Sequence, residues 1–259
     1  MRVLIYVSYD GTEYAGWQRQ NDARSIQGEL EKAASALFGQ EIEMIGASRT
    51  DAGVHSAGSA AVFDVETRMP AEKVCYALNQ KLPEDIRVMR SHEVPGDFHP
   101  RHTDSEKTYL YRIYVGRIMD PRFSRFMYQV HVPLDFEAMC KAAKYIEGKH
   151  DFKSFSSTGT QVTDFVREVY DVKLSKTPLS ALSPNEIEPY EIDIRVHGNG
   201  FLYNMVRIIA GTLIEVGKGN IKPSDLSDII AACDREAAGP TAPANGLALE
   251  TIRFLELED

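Results

Sequence analysis

Arg2-Val3-Leu4-Ile5-Tyr6-Val7-Ser8-Tyr9-Asp10-Gly11 holds an unbroken apolar run at positions 3–7 that stops at the turn signal Asp10-Gly11. Such a run reads as a strand buried on both faces. Working outward, Ile26, Leu30, Ala33, Leu37 and Phe38 follow helical spacing after Ser25, an expected N-cap. Strand-like segments come next around 41–45 and 58–65, then a helix near 70–82 and a strand near 86–90. The order is β-α-β-β-α-β.

The second half repeats it. A strand is expected at 108–115, then a helix with Phe136, Met139, Ala143 and Ile146 on one face. Strands near 167–174 and 190–196 and a long helix over 201–216 follow. An extra helix near 224–233 and a last strand near 247–255 complete the pattern. Two such units predict an α+β fold: two ferredoxin-like halves forming a mixed, mainly antiparallel sheet with helices packed on it. Pro95, Gly96 and Pro100 punctuate the chain between the halves, so the expected domains are 1–100 and 101–259. Residues 175–189, with Pro178, Pro184 and Pro189, read as a hairpin loop.

A chain of 259 residues buries about 70–75% of its unfolded surface and needs no disulfide or metal staple. Its cysteines, Cys75, Cys140 and Cys233, form no C-x-x-C and read as reduced thiols. The apolar run at 3–7 is too short for a signal peptide, and no apolar stretch reaches about 18 residues. The expected setting is therefore the cytoplasm, without membrane contact. The histidines lack H-E-x-x-H, the zinc deaminase signature is missing, and Gly198-x-Gly200 lacks the third glycine of a dinucleotide fingerprint. No metal, cofactor or nucleotide is expected.

The net charge of −9, spread over both halves, argues against nucleic acid. The local pattern differs. Arg101, Lys107, Arg112, Arg117, Arg122 and Arg125 outnumber the acids between 101 and 126, interleaved with Tyr109, Tyr111, Tyr114 and Phe123. That pattern suits a surface that tracks phosphates and stacks bases, although a solvated strand and loop is the commoner source of it.

Three features could carry chemistry. Gly46-Ala47-Ser48-Arg49-Thr50-Asp51-Ala52-Gly53-Val54-His55 brackets an arginine and a carboxylate with small residues, either as a site or as a tight turn closed by Asp51. The helix over 201–216 embeds Arg207 in an apolar stripe, where a buried charge needs a partner from elsewhere in the chain. In Lys107-Thr108-Tyr109-Leu110-Tyr111-Arg112, strand alternation puts Tyr109 and Tyr111 on one face, as core filling or as a stacking platform.

At these residues the sequence resembles the tRNA pseudouridine synthase A family. Tyr9-Asp10-Gly11-Thr12 with Gly16-Trp17-Gln18-Arg19-Gln20 is similar to its opening motif, and Gly46 to His55 to its catalytic loop. Asp97-Phe98-His99-Pro100-Arg101, the Tyr109 strand and Asn199-Gly200-Phe201-Leu202-Tyr203-Asn204-Met205-Val206-Arg207 continue the likeness in order. The resemblance implies the pseudouridine synthase fold and a cofactor-free isomerisation of uridine at positions 38, 39 and 40 of the tRNA anticodon stem-loop. It implies Asp51 as catalytic carboxylate, Arg207 as the partner that keeps it ionised, and Tyr109 as the ring that stacks on uracil and helps remove the C5 proton. Arg49 would fill the gap left by the flipped nucleotide, with Thr50, His55, Tyr111, Arg101 and Arg19 as further substrate-binding residues. The resemblance also implies a homodimer whose cleft holds the anticodon stem. Two rivals stand beside it: a non-catalytic RNA-binding module that binds through the 101–126 basic strip with no role for Asp51, and a metal-free hydrolase built on Asp51 and His55.

Overall fold

The structure is a computed structural model that describes residues 1–159, 162–179 and 188–257. In chain order the elements are β1 (Arg2–Tyr9), α1 (Ile26–Phe38), β2 (Ile45–Gly46), β3 (His55–Asp64), α2 (Ala71–Asn79), β4 (Ile86–Val94) and β5 (Ser105–Val115). There follow β6 (Tyr128–Val130), α3 (Phe136–Ala143), β7 (Gly148–Asp151), β8 (Val166–Pro178), β9 (Tyr190–Gly198), α4 (Met205–Gly217), α5 (Leu226–Ala232) and β10 (Leu247–Phe254). The fold class is α+β, as expected. The chain forms two compact units: Met1–Ser105 with Ala248–Asp259, and Glu106–Leu247. Among the described residues, no helix is long and apolar enough to cross a membrane.

In the first unit β1 lies between β4 and β3, antiparallel to both, with Ile5 opposite Ser91 and Ala61. The other edge of β3 takes β2 antiparallel through Ile45 and Val62, and β10 parallel through Ala248 and His55. Val3, Ile5, Val7 and Tyr9 alternate into one core with Ile26, Leu30, Ala33, Val74 and Leu78 from α1 and α2. Leu4, on the opposite face, is also fully buried, while Tyr6 is half-buried. The α1 boundaries match the sequence reading, because the Ser25 hydroxyl accepts from Gly28 N and Gly39 closes the helix in the left-handed region.

The strand expected at 41–45 is replaced by a two-residue pairing at Ile45–Gly46. Side chains of α1 occupy the backbone groups that a ladder would use. Ser35 Oγ accepts from Ile42 N, Glu31 Oε1 from Met44 N, and Gln27 Nε2 donates to Met44 O.

In the second unit β5, β9, β8 and β7 run antiparallel in that order, and β6 pairs parallel with β5. The strands β6 and β7 were not anticipated, being three and four residues long without apolar alternation. Tyr109, Tyr111 and Ile113 stand opposite Val196, Ile194 and Ile192, and all six are buried. On the other face Arg112 Nε donates to Glu191 Oε1 at 2.8 Å and lies 3.6 Å from Asp193 Oδ1. The basic strip thus loses Arg112 to carboxylates, and Arg122 is likewise paired with Asp120. In the expected loop over 175–189, residues 175–178 extend β8, with Pro178 opposite Tyr190. Residues 180–187 lie outside the described residues.

The long helix begins at Met205, four residues later than expected. Asn204, at φ 60°, takes a left-handed conformation that a helix cannot continue through, and apolar periodicity carries no sign of that. Within α4 only Arg207 and Glu215 escape full burial. A Cβ at Gly211 would overlap the Pro240 carbonyl, so the glycine lets the 239–242 segment lie against the helix. Thr212 Oγ1 fastens that segment, accepting from Gly239 N at 2.9 Å while donating to Ile208 O at 2.8 Å.

Candidate active site

The segment 47–54 that joins β2 to β3 is held from behind by residues 9–17. Thr50 is buried; its carbonyl accepts from Trp17 N at 3.0 Å and its hydroxyl lies 2.8 Å from Tyr9 Oη. Burial pushes the Tyr9 phenol up to about 12, so it stays protonated as a partner for Thr50. Gly16 has φ 99°, and a Cβ there would stand 2.5 Å from Thr50 O. Glycine therefore brings the 14–17 backbone against the loop. The loop tip turns through Asp51 O, which accepts from Val54 N at 3.1 Å, and Gly53 N donates to Tyr14 O at 3.3 Å. The backbone of Asp51 is fixed, and its side chain sits at a half-buried position.

The other expected residues of the first unit fall into two groups. Arg49 and Arg101 are exposed, and Arg101 Nε donates to Gly46 O at 2.9 Å. His55 is buried; Gly11 N donates to its Nδ1 at 3.0 Å, and Asp10 Oδ1 lies 3.2 Å away. That ring braces the Asp10-Gly11 turn against the loop. Arg19 stands apart, paired at 3.1 Å with Glu31, the buried carboxylate that also holds Met44.

Tyr109, Tyr111 and Arg207 belong to the second unit. Tyr109 is buried and meets Phe201 edge-on, with ring centroids 5.2 Å apart. Tyr111 is fully buried, its hydroxyl donating to Pro243 O at 2.9 Å, and burial raises its pKa well above the ordinary phenol value. It supports β5 from within the core and has no exposed surface to offer a substrate. Arg207 is clamped: Nε donates to Ala242 O at 2.7 Å, Nη1 to Asn204 Oδ1 at 2.8 Å, and its own carbonyl accepts from Ala242 N. Asn204 is held in turn through Nδ2 to Ser157 Oγ at 2.9 Å. A guanidinium fixed at two nitrogens is aimed as well as charged.

Sequence reasoning assigned no role to Tyr9, Gly16, Trp17 or Asn204, which position Thr50, Asp51 and Arg207. Three of them lie in the opening motif and one in the helix motif, so the signal was present as motif membership. Among the described residues, no three His, Cys, Asp or Glu side chains are grouped to hold a metal ion.

Residues 5–102 and 142–255 match the family model described as tRNA pseudouridine synthase. The chain belongs to that family. It is 44% identical over 252 residues to tRNA pseudouridine synthase A of Thermoanaerobacter sp. (strain X514), covering 97% of this chain and 99% of the relative. The proteins of the same name from Ruminiclostridium cellulolyticum and Brevibacillus brevis are each 43% identical over 253 residues, at 98% and 99% coverage. Pseudouridine synthases of tRNA are isomerases that exchange the N1–C1′ glycosidic bond of uridine for a C5–C1′ bond. The loop at 47–54, the β5 tyrosines and the α4 arginine carry the motif likeness to the A-type enzymes.

Proposed function

We propose that this chain isomerises uridine to pseudouridine at positions 38, 39 and 40 of the tRNA anticodon stem-loop, acting in the cytoplasm as a homodimer and without a cofactor. The reading rests chiefly on Asp51: a half-buried carboxylate on a loop held through the backbone oxygens of Thr50 and Asp51 and the Thr50 hydroxyl. With the target nucleotide turned out of its stack, the carboxylate either attacks C1′ or assists cleavage through a glycal, and the N1–C1′ bond breaks. The freed uracil rotates, C5 bonds to C1′, the C5 proton leaves with help from Tyr109, and N1 is protonated. Atoms balance within the nucleotide, so no co-reactant is needed. Arg49 fills the stack vacated by the nucleotide, and Arg207 is the counter-charge of Asp51.

The test is tritium release from tRNA transcripts labelled at uridine C5. One tritium should be lost for each uridine converted, from the anticodon stem-loop alone. Free uracil as product would make the chain a hydrolase. Intact binding without release would make it an RNA-binding module.

A counter-charge holds a carboxyl pKa down, so its removal lets that pKa rise. Arg207→Met should therefore move the acid limb of the pH–rate profile to higher pH, by about one unit or more for a close pair. Arg207→Lys should leave the limb near its original place while lowering turnover, because lysine cannot make both bonds of the fork. An acid limb unmoved by Met would count against the pairing.

A further inference from the structure

We propose that Arg49, reaching out from the place it takes in the vacated stack, and Arg101 form a two-armed clamp for one backbone phosphate of the bound RNA, the phosphate adjoining the nucleotide turned out to Asp51. The proposal rests on the synthase reading for the identity of the RNA, and on the geometry of the first unit for the clamp.

Arg101 is tied at both ends of its length. Its backbone N–H donates to His99 Nδ1 at 3.3 Å, and Nε donates to Gly46 O at 2.9 Å. The second bond fixes the guanidinium at the end of β2, three residues before Arg49 on the same loop. Burial and the nearby Arg49 charge together lower the Arg101 pKa, which marks the two cations as neighbours. Both side chains remain exposed.

Their charge environment differs from that of the chain's paired arginines. Arg2, Arg19, Arg24, Arg112, Arg122 and Arg195 each have a carboxylate within ion-pair distance. Among the described residues, neither Arg49 nor Arg101 has one, although the chain carries 38 acidic residues against 29 basic ones. Two adjacent cations without a counter-charge repel each other, and an anion between them relieves that repulsion. A phosphodiester fits the arrangement because its two free oxygens can be shared by two guanidinium forks. Asp51 is two residues from Arg49, and a nucleotide rotated out of a stack carries its flanking phosphate with it. The clamp therefore lies where that phosphate must pass.

The experiment measures tRNA-transcript affinity by anisotropy over a potassium chloride series, using the full chain and Arg49→Gln, Arg101→Gln and the double variant. A contact to one phosphate contributes about 0.7–0.9 to the slope of log affinity against log salt. The double variant should lose about that amount once, with an affinity loss smaller than the product of the single losses. Arg101→Lys should restore the slope, because it keeps the charge, without restoring full affinity, because it lacks the Nε bond to Gly46 O. An unchanged slope in Arg101→Gln would overturn the clamp. So would fully multiplicative losses with a slope change twice as large, which would mean two separate phosphates. C5 tritium release by the unaltered chain, run on the same transcripts, reports the synthase reading independently. Release with unchanged slopes removes the clamp alone, whereas altered slopes without release keep the clamp and remove the reaction.

Discussion

Asp51→Asn is expected to abolish tritium release, with turnover falling by about 10³-fold or more, while tRNA affinity and thermal stability stay close to those of the parent chain. The amide matches the carboxylate in size, so the loop keeps its shape. Thr50 O, Thr50 Oγ1 and Asp51 O help to hold the loop, and asparagine leaves those three contacts in place. What is lost is the negative charge and the nucleophilic oxygen, which both routes to glycosidic cleavage require. Rates of release under saturating tRNA, beside binding and melting curves of the same preparation, check each part. Turnover above about one-tenth of the parent value would remove Asp51 from the chemistry.

Gly211→Ala is expected to be the most damaging small substitution in the second unit. On propensity alone alanine would favour a helix interior by about 1 kcal/mol over glycine. Here its methyl group would overlap the Pro240 carbonyl, a backbone atom that cannot rotate away. The 239–242 segment must then lift from α4, straining the Thr212–Gly239 bond and both Arg207–Ala242 bonds. Overpacking of this kind costs about 3 kcal/mol, against which the propensity gain is minor. The melting temperature should fall by about 6–12 °C for a chain of this size. Activity at permissive temperature should fall as well, because the Arg207 guanidinium loses its anchor. A melting temperature at or above that of the parent would show that the segment yields without cost.

Local signals in the sequence were reliable wherever local physics decides the outcome. Ser25 and Gly39 bound α1 as the capping rules require, and the alternation of Val3, Ile5 and Val7 places one face of β1 in the core. The readings failed where a distant side chain takes over a local role. Residues 41–45 looked like a strand, but Ser35, Glu31 and Gln27 claim their backbone groups. Arg112 looked like part of a basic surface, but its carboxylate partner is Glu191, 79 positions away. Among the bonds that orient Arg207 is one to the carbonyl of Ala242, 35 positions on, which local periodicity has no means of announcing. For the site, spacing alone favours a tight turn over a functional loop at Asp51. The likeness of several motifs in order, with family membership behind it, is what singles that residue out.

Trp17 is the chain's one tryptophan. It is fully buried, its ring lies against Gly46, and its amide is bonded to Thr50 O. The fluorophore thus touches one end of the loop and its backbone reaches the residue before Asp51. Excited at the red edge of its absorption, where the twelve tyrosines contribute little, this molecule emits from a single indole directly behind the proposed site. Any rearrangement of the loop as RNA engages can be followed in real time by stopped-flow emission, with no label added and no second indole to subtract.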